Sequence, residues 1–234
     1  MKCSLLLLWF WLLTAAVLGR TLPPPSDTTR TPKWLRDEHL ALSLASMPSG
    51  VHRVQFRFSI GGRVVEWWQE ADGGYAGQLV LWTNEVSPGQ EAPTQRVHRV
   101  VHPLDSATVH GLLGLLQTWR MRALPDEADI AGWQPTLDGV LYTLEYATPA
   151  GYAVKSYANP ASQGTLPEAA RVLGFERQVF NAVQGSTHLA AFIRGIPFQC
   201  YFTSNGSSTT CRILTNAELG AYKRERNRYR RTLK

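Results

Sequence analysis

The sequence between residues 54 and 102 divides into four short segments, and glycine-containing turns separate the first three of them. In the first segment the apolar residues from Val54 to Ile60 fall on every second position, and polar residues such as Arg57 lie between them. This period of two predicts a half-buried strand. Tight turns at Gly61-Gly62 and at residues 72–74 favour antiparallel neighbours. The pattern therefore predicts an antiparallel meander.

Helical signals follow the meander. Asp105 is predicted to cap a helix whose apolar side chains recur three or four residues apart as far as Trp119. Residues 140–158 are predicted to form a second hairpin. A further helix is predicted from Thr165, because Glu168 three residues later would complete a capping box. This order predicts an α+β fold, with an antiparallel meander and hairpins on which two or three helices pack.

The first nineteen residues have the composition of a signal peptide for export. A single lysine precedes an apolar run, and small residues follow it. The run is shorter than the roughly 20 residues that cross a bilayer, so cleavage is predicted, with a retained anchor as the alternative. The 234 residues suffice for one ordinary domain. The predicted organisation is a signal peptide (1–19), a proline-rich tether (20–33), a single α+β domain (34–220) with a disulfide hairpin (196–214), and a basic C-terminal helix or tail (221–234).

Two cysteines remain after the predicted signal peptide, Cys200 and Cys211. Asn205-Gly206 between them is a strong hairpin-turn signal, and a turn centred there places the cysteines directly opposite one another. A hydrogen-bonded pair in such a ladder has Cα atoms about 5.5 Å apart, within the range of a disulfide. Ten residues separate the cysteines, unlike a redox-active C-x-x-C motif, so a structural cross-strand disulfide is predicted.

Residues 138–183 contain the stretches DGVLYTLEY and YAVKSYANP, followed by a predicted helix. This segment resembles uncharacterised exported bacterial proteins of unassigned function. The resemblance implies an envelope or secreted location and brings no catalytic residues. Together with the signal peptide, it predicts a secreted or periplasmic protein.

Motifs for nucleophilic catalysis and metal binding are missing from the sequence. There is no G-x-S-x-G or S-x-x-K motif, and Ser186 and His188 are near neighbours that cannot be oriented for proton transfer. His98 and His102 lie in a predicted strand, where four residues span about 13 Å, too far to share a metal ion. No catalytic residue, metal site or cofactor is therefore predicted.

A carboxylate pair assembled by the fold leaves one enzymatic alternative open, an envelope hydrolase. Nothing in the sequence ranks the acids that strands or turns would carry. The candidates are Glu66, Glu70, Asp72, Asp138 and Glu145.

Three tryptophans in the meander form a candidate ligand platform, because aromatic faces pair well with apolar ligand surfaces. They are Trp67, Trp68 and Trp82. Trp67 and Trp68 are adjacent in a strand and point to opposite faces, so at least one of them is expected in the core.

The last fourteen residues carry seven Lys/Arg and one Glu, a net charge of +6 that equals the formal charge of the whole chain. The candidate contacts with an anionic partner are Lys223, Arg224, Arg226, Arg228, Arg230 and Arg231. Anionic lipid headgroups, cell-surface polyanions and acidic protein patches all fit this charge, and nucleic acid does not suit an exported protein. A solvated end that aids solubility is the alternative. The leading hypothesis is an exported, non-enzymatic binding or structural protein of the envelope.

Overall fold

The computed structural model describes residues 31–47, 52, 54–89, 92–136, 139–202 and 208–232. The predicted signal peptide and most of the predicted tether lie outside the described residues. The strands are β1 (Val54–Ile60), β2 (Arg63–Gln69), β3 (Tyr75–Val86), β4 (Pro93–Leu104), β5 (Leu141–Thr148), β6 (Gly151–Ala158), β7 (Cys200–Phe202) and β8 (Thr209–Cys211). The α-helices in this part of the chain are α1 (Lys33–Ala41), α2 (Ser106–Thr118), α3 (Pro167–Ala182), α4 (Gly185–Gly195) and α5 (Asn216–Thr232).

All eight strands join one curled antiparallel sheet, which confirms the predicted α+β class. Strands β1, β2 and β3 each pair with the next one along the chain, as predicted for a meander of four strands. The β5–β6 hairpin adds to the other edge of β1, which gives the order β6-β5-β1-β2-β3. β1 therefore lies inside the sheet, with a partner on each side.

Strand β3 is long enough to take two partners along one edge. β2 pairs with residues 75–81, and β7 pairs further along with Glu85 and Val86. β4 pairs along the opposite edge. Since β2 has seven residues and β3 has twelve, β2 alone would leave backbone groups of β3 without partners, and the disulfide hairpin takes that place.

One face of the sheet carries the main hydrophobic core. Side chains of α2, α3 and α4 join those of the central strands in one buried cluster. Its members include Phe56, Phe58, Trp67, Leu112, Phe175 and Phe192. Helix α2 contributes the face that its apolar spacing predicts, because Val109, Leu112 and Leu116 are all buried.

Helices α2 and α3 approach closely at a glycine. A Cβ atom built on Gly174 in α3 would lie 2.3 Å from Cη2 of Trp119, at the end of α2. The Trp119 indole also donates a hydrogen bond to Oε1 of Gln178, at 3.1 Å. No side chain larger than a hydrogen atom fits at position 174 without displacing the tryptophan.

Helix starts were predicted with mixed success. Asp105 caps α2 as expected, and its carboxylate accepts a hydrogen bond from the Thr108 backbone at 2.7 Å. The predicted capping box at Thr165 is wrong, because α3 begins at Pro167 with Leu166 as its N-cap. Proline is preorganised for the first helical position and lacks the N–H that a cap would satisfy. Helix α4 was not predicted, and it follows Gln184 in the left-handed conformation (φ 52°).

The cross-strand disulfide between Cys200 and Cys211 is confirmed, with the predicted register. The cysteines were predicted to form a hydrogen-bonded strand pair, and in this respect the structure differs. The Cα atoms lie 4.0 Å apart, and the hydrogen bond from the Arg212 backbone N–H to the Gln199 carbonyl lies one residue further out. The cysteines thus occupy a non-hydrogen-bonded pair, where strands are closest. The predicted turn residues Asn205-Gly206 lie outside the described residues.

The second face of the sheet is also covered, contrary to the prediction of a half-buried β1. Helix α1 and the residues that follow it lie over this face, where Leu35 and Met47 pack with one apolar cluster and Leu42 and Leu44 with another. The last residues of the predicted tether belong to this cover, because Thr31 is buried and α1 begins at Lys33. The polar side of β1 is consequently buried, and Arg57 is 0% exposed.

One structural observation bears on where the protein resides. The disulfide fits an extracellular or otherwise oxidising compartment. Among the described residues, no helix combines the length and the apolar character needed to cross a membrane. The export signal itself stays a prediction.

Candidate functional sites

Helix α5 contains most of the basic segment, and a capping box begins it. The Glu218 carboxylate accepts hydrogen bonds from the Thr215 backbone N–H (2.8 Å) and hydroxyl (2.7 Å). In return, the Glu218 backbone N–H donates to the Thr215 hydroxyl at 3.3 Å. This reciprocal arrangement satisfies N–H groups that the first turn of a helix leaves without partners. The basic residues that follow are therefore presented on an ordered helix.

The inner side of α5 is fixed to the sheet by a buried carboxylate. Glu85 of β3 is 1% exposed and accepts a hydrogen bond from the hydroxyl of Tyr222, the buried aromatic residue of α5. Burial, with the hydrogen bond to Glu85 and its negative charge, raises the pKa of Tyr222 to about 12. Arg226 donates to the Ser87 hydroxyl at 2.5 Å, and its Nε lies 4.0 Å from Glu85. Arg226 is thus engaged within the protein.

Arg96 of β4 links the same carboxylate to a second point on α5. Its guanidinium donates to Glu85 at 3.1 Å and to Glu225 of α5 at 2.8 Å. It also lies over the rings of Phe198 and Tyr229, 5.1 and 5.2 Å from their centroids. The inner face of α5 therefore consists of Tyr222, Glu225, Arg226 and Tyr229, all held by the sheet.

The outer side of α5 is a strip of exposed cations. At 100° per residue, the positions that do not contact the sheet fall on the opposite side of the helix. We call this strip the outer basic face, and its described members are Lys223, Arg224, Arg228 and Arg231. None of the four forms an ion pair with the described residues. The side chain of Arg230, also predicted as a contact, lies outside the described residues.

The three tryptophans do not form a common platform. Trp67 is 1% exposed in the main core, as expected for at least one of the pair. Trp68 lies on the other face, half-buried, and its indole donates to Glu70 at 2.6 Å. Trp82 shares that face, but Trp68 is level with Ala76 in β3, so the two are about 20 Å apart along the strands.

A buried ionic cluster lies between the second face of the sheet and α1. Arg57 is directly opposite Glu66 on one side and Glu145 on the other. Its guanidinium lies 2.7 Å from the Glu66 carboxylate and 3.5 Å from that of Glu145. His39 of α1 completes the cluster, with its Nε2 3.1 Å from Glu145. Two of the five candidate acids, Glu66 and Glu145, thus lie beside one arginine.

The electrostatics of this cluster show how Glu145 stays charged. Burial acts to raise its pKa, yet the hydrogen bond from His39, the charge of Arg57 and a 2.6 Å hydrogen bond from Tyr152 outweigh burial and leave the pKa lowered. Glu38 on α1 behaves oppositely. Burial raises the pKa of its carboxyl from 4.5 to about 7, and repulsion from Glu145 adds to this effect against the attraction of His39.

The remaining acidic candidates do not join the cluster. Glu70 accepts the Trp68 indole hydrogen bond, and Asp72 accepts one from the Gly74 backbone at 2.9 Å in the β2–β3 turn. Asp138 lies outside the described residues. Glu66 and Glu145 are each less than 3% exposed, and Arg57 lies between them. This arrangement is an internal salt bridge rather than an acid pair open to a substrate.

Histidines meet aromatic rings in the structure. His98 stacks on Phe192 of α4 with ring centroids 5.1 Å apart, and His102 lies against His188 at 3.9 Å. Within the described parts of the chain, no three histidine, cysteine or acidic side chains are grouped closely enough to hold a metal ion. Burial lowers the pKa of both His98 and His102, so the neutral form of each is favoured.

No protein-family model matches this chain, and no curated protein matches it either. The resemblance of residues 138–183 to exported bacterial proteins is therefore untested.

Proposed function

We propose that this chain is an exported, non-enzymatic binding protein of the cell envelope that contacts an anionic partner through the outer basic face of α5. The observation that carries the proposal is the division of α5 into two faces. Tyr222 and Arg226 hold one face on the sheet, and four cations without an ion pair among the described residues occupy the other. A docked helix presents those cations at fixed positions, as a recognition surface requires.

The positions of the cations are not explained by helix stability alone. Basic residues in the last turn interact favourably with the helix dipole, which accounts for Arg231. Lys223 and Arg224 lie near the middle of α5, where that benefit is small. Arg224 and Arg228 are four residues apart, and like charges at this spacing cost about 0.2–0.5 kcal/mol. An anionic partner would relieve that repulsion.

Anionic lipid headgroups, polyanions and acidic protein patches share the chemistry that this face would recognise. Near an anionic membrane surface each Lys or Arg contributes about 1 kcal/mol, so four of them would support peripheral binding. Export is supported by the composition of residues 1–19 and by the disulfide. The burial of Glu66 and Glu145 with Arg57 argues against the hydrolase alternative.

The test compares two variants with equal net charge. One replaces the outer basic face with glutamine at Lys223, Arg224, Arg228 and Arg231. The other replaces four exposed arginines elsewhere, Arg36, Arg120, Arg177 and Arg194. The binding of each to phosphatidylcholine vesicles with and without phosphatidylglycerol, and to beads carrying a sulfated polysaccharide, is measured by sedimentation.

We expect the unaltered protein to bind at least one anionic support and to dissociate as salt is raised, because exposed charges are screened. The variant of the outer basic face should bind at least tenfold more weakly, and the control variant should bind like the unaltered protein. Equal loss in both variants would show that only net charge matters. Binding to neither support would contradict contact with lipid headgroups and polyanions.

A further inference from the structure

A cavity opens on the core side of the sheet, beside the last turns of α2. Its volume is about 80 Å³. One water molecule needs roughly 10–15 Å³, so the cavity could hold several. The wall is mostly apolar and includes Phe56, Trp67, Leu113, Leu116 and Tyr146, with Arg122 contributing a charge. The cavity is thus large enough for a small organic group and has a polar group at one side.

The tryptophan in the cavity wall is buried and closely packed. The indole of Trp67 is 1% exposed, and its Nε1–H has no hydrogen-bond partner among the described residues. Its ring packs against Phe56 with centroids 4.3 Å apart, which fixes the side chain. The Trp67 ring therefore forms a packed apolar part of the wall, beside which a bound group would lie.

Two cations lie close to the same side of the cavity. The guanidinium of Arg122 lies over the ring of Tyr146, 5.4 Å from its centroid, and Nζ of Lys155 lies 5.8 Å from the same centroid. Arg122 forms no ion pair with the described residues. Lys155 donates to the carbonyl groups of Arg122 (2.8 Å) and Leu124 (2.5 Å), and so holds the turn that carries Arg122.

The charge at this point is only partly balanced. Burial lowers the pKa of Lys155 to about 8, attraction to Asp126 opposes the shift, and repulsion from Arg122 adds to it. Asp126 is already engaged, because it accepts hydrogen bonds from the backbone N–H groups of Ser156 (2.8 Å) and Ala128 (3.1 Å). An added anion next to Arg122 would meet two cations that no free carboxylate in the described structure neutralises.

We propose that this cavity binds a small molecule in which a carboxylate is joined to an aromatic or short aliphatic group. Arg122 holds the carboxylate, since a guanidinium donates two parallel hydrogen bonds to such a group. The apolar part lies between Leu113, Leu116 and the Trp67 ring. This site is separate from the outer basic face of α5 and does not depend on the function proposed for that face.

The test uses 3-phenylpropanoate as the probe and 3-phenylpropanamide as its uncharged counterpart. The indole N–H signals of the ¹⁵N-labelled protein are followed by nuclear magnetic resonance during titration up to about 10 mM, a range that detects millimolar affinity. Trp67→Phe identifies the signal of Trp67. We expect a saturable shift of that signal with the carboxylate, at an affinity at least tenfold higher than for the amide.

Variants separate recognition from folding. Arg122→Gln is expected to weaken binding of the carboxylate at least tenfold and to leave the amide unaffected, while the other indole signals report an intact fold. Arg177→Gln, an exposed arginine on α3, is the matched control and should bind like the unaltered protein. The proposal is wrong if the Trp67 signal shows no saturable shift, if carboxylate and amide bind equally, or if the two arginine variants lose affinity equally.

Discussion

Replacing Glu38 by glutamine tests the electrostatics of the cover that α1 forms over the sheet. The carboxyl group is half-buried and accepts no hydrogen bond from the described residues. Burial raises its pKa from 4.5 to about 7, with repulsion from Glu145 adding to the shift and attraction to His39 and Arg57 opposing it. The folded protein therefore holds this proton more tightly than the unfolded chain does.

The sign of the effect follows from that difference. A group whose pKa is raised on folding contributes stability that is fully present below its unfolded pKa, here about 4.5, and is lost as the pH rises through about 7. The difference between the two values corresponds to about 3 kcal/mol in the free energy of unfolding. About 2 kcal/mol of this should already be lost at pH 6, and nearly all of it at pH 8. Glutamine does not titrate, so the free energy of unfolding of Glu38→Gln should not fall in this way as the pH rises.

The assay is urea denaturation followed by tryptophan fluorescence, at pH values between about 4.5 and 8.5. The variant and the unaltered protein should be equally stable near pH 4.5, and the variant should be more stable by about 3 kcal/mol above pH 8. Asp37→Asn is the control for the loss of one carboxylate from the same helix, because Asp37 is exposed and forms only a surface ion pair with Lys33. A stability difference that is constant with pH, or that favours the unaltered protein at high pH, would refute the reasoning.

Three further changes test other contacts. Gly174→Ala should destabilise the protein by about 1–3 kcal/mol in urea denaturation, because the added Cβ meets Trp119, whereas Gly114→Ala in α2 meets nothing within 4 Å and should stabilise by about 0.5–1 kcal/mol. Glu85→Gln leaves the buried Arg96 with the half-exposed Glu225 as its remaining charge partner and should cost about 3 kcal/mol, with faster amide hydrogen exchange throughout α5. Cys211→Ser should lower the free energy of unfolding by about 3 kcal/mol, since it opens a short loop, and a loss below 1 kcal/mol would contradict that estimate.

Local patterns in the sequence predicted the elements that depend on neighbouring residues. Alternation located β1, turns and loops bounded the strands that follow it, and the symmetry of the sequence around Asn205-Gly206 placed Cys200 opposite Cys211. Asp105 capped its helix because an N-cap needs only the backbone three residues later. Thr165 failed because Pro167 determined the first turn of α3, and two local signals in conflict cannot be ranked by pattern alone.

Covering of the second face could not be predicted in the same way. The alternation in β1 correctly separated two faces, but it could not show that α1 would cover the polar one. Arg57 looked like a solvent-exposed residue in sequence, although its strand partners on both sides are glutamates. Once the strand order is known, that pairing follows from register alone. The order itself depends on contacts between residues far apart in the chain, such as Arg57 and Glu145.

The described structure treats its buried and its exposed charges in different ways. Buried carboxylates are matched by arginines, Glu66 and Glu145 by Arg57 and Glu85 by Arg96, as the cost of an isolated buried charge requires. The outer basic face has no such match within the described residues, and water alone can solvate it. Folding therefore explains the inner face of α5 and leaves the cations near the middle of the outer face, Lys223 and Arg224, unexplained. Two variants with the same net charge, altered at different places, distinguish a binding surface from general solubility.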